Sequence, residues 1–227
     1  MFSIIIPLYN EEESIKPLID EILTSLINYK QYEIVLIDDC SNDQTLKIIN
    51  NINCHIKIKI LKNIKRQGQS YSIHKGIESS SFNTIITIDG DGQNNPNDIP
   101  KLINKYNQNN QIYLVGGIRV NRKDSLIKVL SSKIANKIRS SILKDSCKDT
   151  GCSLKVFDKT IFLNFPFFDG IHRFLPALFK GFGYKTMFIN VEHRPRMHGR
   201  SKYGTFLRLI AGIKDIIRVK KMIKGNK

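Results

Sequence analysis

Short apolar runs alternate with amphipathic stripes along the first half of this chain, and that alternation leaves few folds open. Residues 2–7 are an apolar run closed by Pro7, as expected of a strand buried on both faces. Residues 11–26 then place Ile15, Leu18, Ile19, Ile22, Leu23 and Leu26 on one helical stripe. Glu11, Glu12 and Glu13 are expected in its first turn, where they suit the helix dipole. A second strand is predicted over 32–37 and a helix over 44–52, with Ser41-Asn42-Asp43 available to cap it. A third strand (56–61), a helix (68–78), a fourth strand (83–88), a helix (96–107) and a fifth strand (112–115) follow. Such a β-α-β succession predicts a parallel sheet with helices on both faces.

Beyond Gly117 the pattern changes. Residues 125–143 carry Leu126, Leu130, Ile134, Ile138 and Ile142 at spacing four, with Lys128, Lys133, Lys137 and Arg139 between them. Strands are expected at 154–157 and 186–191, and a short buried helix at 172–182. Residues 203–224 form an amphipathic stretch. Phe206, Leu209, Ile210, Ile213, Ile216 and Ile217 share one face, with Arg208, Lys214 and Arg218 opposite. The domain reading is a single unit over 1–202, with a front half at 1–118 and a back half at 119–202, followed by a basic amphipathic helix over 203–227.

Charge separates the two halves. The 227 residues carry a formal net charge of +16, yet residues 1–118 hold 11 Lys/Arg against 13 Asp/Glu. Residues 119–148 hold 9 against 2, and residues 194–227 hold 11 against 1. The basic half is expected to face phosphates, nucleic acid or a lipid surface. No aromatic-basic motif or recognition helix marks a nucleic-acid binder, so nucleic acid is not expected as a partner. No stretch reaches the roughly 18–20 apolar residues of a membrane span, and the amino terminus lacks a signal-peptide pattern. A cytoplasmic location with reduced thiols is expected. Cys40, Cys54, Cys147 and Cys152 lack zinc-site spacing.

Three strand ends in the front half carry polar groups: Pro7-Leu8-Tyr9-Asn10-Glu11, Asp38-Asp39 and Asp89-Gly90-Asp91-Gly92-Gln93. Strand carboxyl ends in an open α/β sheet share one crevice. Asp89 and Asp91, two apart, lie on the same side of an extended segment and can reach one ion. Three such turns suit a nucleotide, with carboxylates for base and ribose and a divalent cation for a pyrophosphate.

These segments carry a resemblance. SIIIPLYNEEES (residues 3–14), IVLIDDCSNDQT (34–45) and ITIDGDGQNNP (86–96) resemble the signatures of family 2 glycosyltransferases. DTGCSLKVF (149–157), HRFLPAL (172–178) and HRPRMHGRSKYG (193–204) resemble the polyprenyl-phosphate sugar transferases related to dolichol-phosphate mannose synthase. The resemblance spans residues 2–215. It implies a Rossmann-like α/β fold of the GT-A type, with a mostly parallel sheet. It further implies a GDP- or UDP-sugar donor held by residues matching Pro7, Tyr9, Glu11, Ile37, Asp39, Asp89, Gly90, Asp91 and Gln93. Mg²⁺ or Mn²⁺ would sit on Asp89, Asp91 and Gln93.

For the acceptor, the resemblance implies a polyprenyl phosphate gripped by Arg119, Lys128, Ser132, Arg196 and Lys202. Lys128 departs from relatives that carry Arg there, and a point charge grips phosphate less rigidly than a fork does. Asp91, Arg119 and Asp149 are the expected catalytic residues. Asp149 would be the base for a sugar-hydroxyl acceptor, the alternative reaction; with a phosphate acceptor it would contact the sugar or order a basic residue. His172 and His193 receive no catalytic role. The expected reaction is an inverting, metal-dependent transfer feeding cell-envelope or other glycosylation. It would take place at the cytoplasmic face of a membrane, with the terminal helix interfacial or a membrane protein as partner.

Overall fold

The computed structural model describes residues 1–108, 111–120, 136–195 and 205–225, with side chains in the last helix described from residue 212. The front half reads β1 (Phe2–Leu8), α1 (Ile15–Ser25), β2 (Tyr32–Asp38), α2 (Thr45–Asn50), β3 (Lys57–Lys62), α3 (Gln69–Ser79), β4 (Thr84–Thr87), α4 (Ile99–Asn107) and β5 (Ile112–Val120). A 3₁₀ turn at Pro96–Asp98 leads into α4. The back half contains α5 (136–143), β6 (Lys155–Asp158), α6 (Lys159–Leu163), α7 (Ile171–Gly181), β7 (Lys185–Glu192) and α8 (Thr205–Gly225).

Seven strands form one sheet in the order β3-β2-β1-β4-β6-β5-β7. β1 pairs parallel with β2 and β4, β2 with β3, and β5 with β7. β6 alone is reversed, antiparallel to both β4 and β5. All seven residues of β2 are buried, which explains the apolar run from Ile34 to Ile37, since helices cover both faces. β3 lies at one edge and carries Lys57, Lys59 and Lys62; charged side chains on an edge oppose pairing with another chain.

Alternation along β1 divides the core. Ile4, Ile6 and Leu8 pack with α1 and α4 residues on one face, and Ile5 with α3 and α7 residues on the other. On the second face α3 lies close to the sheet at Gly76. A β-carbon there would approach Ile37 Cδ1 to 2.6 Å and Ile5 Cγ2 to 2.8 Å.

Several expectations are corrected. Helix α1 begins at Ile15, so Glu11, Glu12 and Glu13 lie outside its first turn, and their backbone is drawn to the loop after β2 instead. Helix α6 was not anticipated; Asp158 caps it by accepting the Ile161 N–H at 2.9 Å. In α5, Ile138 and Ile142 of the spacing-four stripe are 56% and 38% exposed, whereas Arg139 and Leu143 are buried. Arg139 pairs with Asp145 and donates to the Cys147 carbonyl at 2.8 Å. In α8, Ile213 and Ile217 are 54% and 53% exposed. The helix instead packs through Asp215, Ile216, Val219, Met222 and Ile223, and Asp215 lies 3.6 Å from Arg173 on α7.

Because the Gly76 β-carbon site is already filled, Gly76→Ala is expected to destabilise the protein by about 1–3 kcal/mol, the usual cost of overpacking. A lowered denaturant midpoint with an unchanged slope would register it.

Candidate active site

The carboxyl ends of β1 and β2 are laced together. The Asn10 N–H donates to Ser41 Oγ at 3.0 Å and the Glu11 N–H to Thr45 Oγ1 at 2.8 Å. In return, the Asn42 N–H donates to Asn10 Oδ1 at 2.9 Å and the Gln44 N–H to Glu12 Oε2 at 2.7 Å. Asn10 adopts φ 53° here. Ile37 is fully buried in the core, paired with Pro7 of β1 and Leu61 of β3. Tyr9 and Glu11 are partly exposed at the loop, and the Arg66 guanidinium lies 4.1 Å from the centre of the Tyr9 ring.

Asp39 is only 4% exposed. Its carboxylate accepts the Gln67 and Gly68 N–H groups and the Asn63 Nδ2 amide, each at 2.8 Å. It therefore organises the loop between β3 and α3. A buried carboxylate needs such donors.

The turn after β4 meets the turn after β1. A β-carbon on Gly90 would collide with Leu8 and lie 3.3 Å from the Pro7 carbonyl oxygen, so only glycine allows this approach. Gly92 has φ 71°, the left-handed conformation that glycine adopts without strain. Asp89 receives Gln69 Nε2 on Oδ1 at 2.7 Å, and its N–H donates to Ser153 Oγ at 3.2 Å. Burial, and secondly the negative charge of Asp91, push the Asp89 carboxyl up to about 6; Ser153, Lys155 and Arg119 oppose the rise. A divalent cation would relieve both burdens, so the donor set fits Mg²⁺ or Mn²⁺. Gln93 donates its side-chain amide to the Arg194 carbonyl at 3.4 Å, and its amide oxygen is the atom with ligand chemistry. No three His, Cys, Asp or Glu side chains among the described residues are placed to hold one metal ion, so phosphate oxygens and water would complete the coordination.

Arg119, at the end of β5, forms a two-pronged pair with Asp149. Nε donates to Oδ2 at 2.8 Å and a terminal nitrogen to Oδ1 at 2.8 Å, while the Arg119 N–H also reaches Oδ2 at 3.1 Å. Asp149 thus orders a basic residue, one of the two roles expected of it. Lys155, at the start of β6, is 3% exposed, and its ammonium donates to the Cys152 carbonyl. It adds a buried positive charge beneath the acidic turn.

After β7 the chain is strapped to the same turn. Asn94 bridges to His193, and the Arg194 N–H donates to the Gln93 carbonyl at 2.9 Å. The Arg194 guanidinium reaches Asn95 Oδ1 at 2.9 Å and Glu21 at 2.6 Å. His172 packs: Nδ1 lies 2.7 Å from Ser70 Oγ, and burial, then Arg173 and Lys155, pull its pKa down to about 3. Lys128, Ser132, Arg196 and Lys202 lie outside the described residues. Asp89, Gly90 and Asp91 therefore come together with Pro7, and Arg119 pairs with Asp149.

Sequence reasoning missed Gln69, Ser153 and Lys155. Ser153 and Lys155 lie inside DTGCSLKVF, but nothing local says that this segment returns to the end of β4.

A glycosyl transferase family 2 model matches residues 3–165. The chain belongs to that family. Dodecaprenyl-phosphate galacturonate synthase of Rhizobium johnstonii is 33% identical over 210 residues, covering 89% of this chain and 61% of that protein. Undecaprenyl-phosphate 4-deoxy-4-formamido-L-arabinose transferase of Pectobacterium atrosepticum is 36% identical over 220 residues, covering 95% and 66%. The chain thus spans a little under two thirds of the length of these curated relatives. Among solved structures, glucosyl-3-phosphoglycerate synthase from Mycobacterium tuberculosis with Mn²⁺, uridine-diphosphate and phosphoglyceric acid superposes with a TM-score of 0.72 at 16% identity, over 100% of this chain and 79% of that one. The fold is that of the GT-A glycosyltransferases, as the family motifs imply.

Asp39→Asn would place a donor against the Gln67 and Gly68 N–H groups or the Asn63 amide. The expected loss is about 1–3 kcal/mol, the cost of stranding buried donors. Faster hydrogen exchange at the Gln67 and Gly68 amides would localise it.

Proposed function

We propose that this family 2 chain transfers a sugar from a GDP- or UDP-sugar to a polyprenyl phosphate at a membrane surface, with inversion at the anomeric carbon. The observation that carries this reading is the Arg119–Asp149 pair next to the acidic turn. Both Asp149 oxygens accept hydrogen bonds from Arg119, which suits a carboxylate that orients a cation more than one that takes a proton. A sugar hydroxyl needs a base; a lipid phosphate arrives as an anionic nucleophile and needs positioning. The relatives named for dodecaprenyl and undecaprenyl phosphate support the same acceptor class.

In this mechanism an acceptor phosphate oxygen forms a bond to the anomeric carbon while the bond to the nucleoside diphosphate breaks. The laced turns carrying Pro7, Tyr9, Glu11 and Asp39 would hold the nucleoside, with Ile37 packed in the strand beneath them. Asp89, Asp91 and Gln93 would hold Mg²⁺ or Mn²⁺, which neutralises charge on the departing diphosphate as a Lewis acid. Arg119, fixed by Asp149, would orient the acceptor phosphate, joined by Lys128, Ser132, Arg196 and Lys202. Domain limits of 1–202 and 203–227 belong to the same proposal.

The outward face of α8 supports contact with an anionic bilayer. Ile213 and Ile217 are exposed opposite the packed face, and Lys214, Lys220, Lys221 and Lys224 are exposed on the same helix. No helix among the described residues is long and apolar enough to cross a membrane. A peripheral location at the cytoplasmic face, alone or beside a membrane protein, completes the reading.

Purified protein incubated with labelled nucleotide sugars, Mn²⁺ and undecaprenyl phosphate is expected to give an acid-labile labelled lipid. Asp91→Ala is expected to remove turnover and leave the circular dichroism spectrum intact. An acid-stable product would point to a hydroxyl acceptor, and no product with any common donor would sink the proposal.

Replacing both Ile213 and Ile217 with Glu is expected to weaken co-sedimentation with phosphatidylglycerol vesicles by about tenfold or more, given roughly 1.5–3 kcal/mol per buried isoleucine. Undiminished binding would remove α8 from the contact surface.

A further inference from the structure

The carboxylates of Asp89 and Asp91 repel each other, and the position of the first one is set by a residue from another element. Gln69 Nε2 donates to Asp89 Oδ1 at 2.7 Å. Gln69 is the first residue of α3, and the backbone on both sides of it is tied down. Immediately before it, the Gln67 and Gly68 N–H groups both donate to Asp39 at 2.8 Å. Immediately after it, Ser70 Oγ accepts the Gly170 N–H at 2.7 Å and lies 2.7 Å from His172 Nδ1. Ser70 is fully buried, so these bonds face no competition from water. The low pKa of His172 keeps that ring uncharged, and the Ser70 link therefore persists across the physiological range. Asp89 is also held from the main-chain side, where its N–H donates to Ser153 Oγ.

A single amide at the end of a long side chain would ordinarily be mobile. Here its helix start is fixed at Asp39 on one side and at α7 on the other, so the amide is presented to one carboxylate oxygen. We infer that Gln69 is a positioning residue for the acidic turn: it holds Asp89 by one oxygen and leaves the rest of that carboxylate's acceptor capacity for a divalent cation. This rests on the reading of Asp89 and Asp91 as cation ligands. A neutral amide suits the task because a cationic side chain would offset the charge that attracts the metal, whereas a carboxylate would add to the repulsion.

The test measures Mn²⁺ affinity directly by electron paramagnetic resonance, with thermal midpoints of the metal-free proteins recorded beside it. Gln69→Met keeps length and loses the donor; Gln69→Asn keeps the amide but stops one methylene short. Both are expected to bind Mn²⁺ about tenfold or more weakly, the scale of one hydrogen bond to a charged group. The metal concentration for half-maximal transfer is expected to rise in parallel, with turnover at saturating Mn²⁺ close to wild type. Thermal midpoints are expected to stay near that of the wild type. Asp91→Ala is the reference for loss of the site. If wild type binds Mn²⁺, Asp91→Ala does not, and both Gln69 variants bind like wild type, the role of Gln69 is overturned while the metal site stands. That role is overturned equally if the variants lose thermal stability but keep Mn²⁺ affinity. If wild type binds no Mn²⁺, the metal reading fails and this inference fails with it.

Discussion

The crevice depends on the direction of β6. A strand inserted antiparallel between β4 and β5 begins where β4 ends, and the register pairs Thr87 with Lys155. The segment that precedes β6 is thereby delivered to the acidic turn. Ser153 meets the Asp89 N–H, Thr87 Oγ1 donates to the Ser153 carbonyl at 2.6 Å, and Asp149 reaches Arg119 at the end of β5. A parallel β6 would start at the opposite edge of the sheet, and this segment could not close the crevice.

Reversal of β6 also settles the electrostatics. Burial first, and the charge of Asp91 second, hold the Asp89 carboxyl above its ordinary range, while Lys155 and Arg119 oppose the rise. Asp149 is engaged with Arg119. Charge is arranged differently around Arg139, whose partner Asp145 is also fully buried. There the two charges meet each other and both bond Cys147, through its carbonyl and its N–H. The contrast is between a buried carboxylate paired with a cation and one beside a like charge.

Local chemistry was legible in the sequence where it determined local geometry. Asp89-Gly90-Asp91-Gly92 had to be a turn after a strand, because Gly92 takes a positive φ and Gly90 packs against the β1 turn. The uniformly apolar runs of β1 and β2 announced strands covered on both faces. Strand direction was not legible at β6, since four residues flanked by turns fit either orientation. In α8 the regular stripe through Ile213 and Ile217 faces outward, and Val219, off that stripe, is fully buried. In α5 the pair of Arg139 with Asp145, six residues away, carries Arg139 inward against the apolar stripe. Glu11 to Glu13 fit a helix dipole, but the Glu11 and Glu12 N–H groups donate to Thr45 and Asp43, and the Glu12 carboxylate accepts the Gln44 N–H. Gln69 gave no signal at all, because its partner is 20 residues away in the turn after β4.

The charge asymmetry of the chain takes on a different meaning once the sheet is known. Front and back halves share the same seven-stranded sheet, so Asp89 after β4 and Arg119 on β5 belong to one body and not to separate ones. Arg119 closes the basic side at the end of β5, and Asp149 fixes its guanidinium in a plane. An Arg held this way loses little further freedom on meeting an anion, and a fixed fork distinguishes a phosphate from a diffuse negative field. Under the proposed reaction, the same sheet that holds two like charges apart for a cation holds one cation still for an anion. In that reaction the reversed strand between them would let both act on a single reacting carbon.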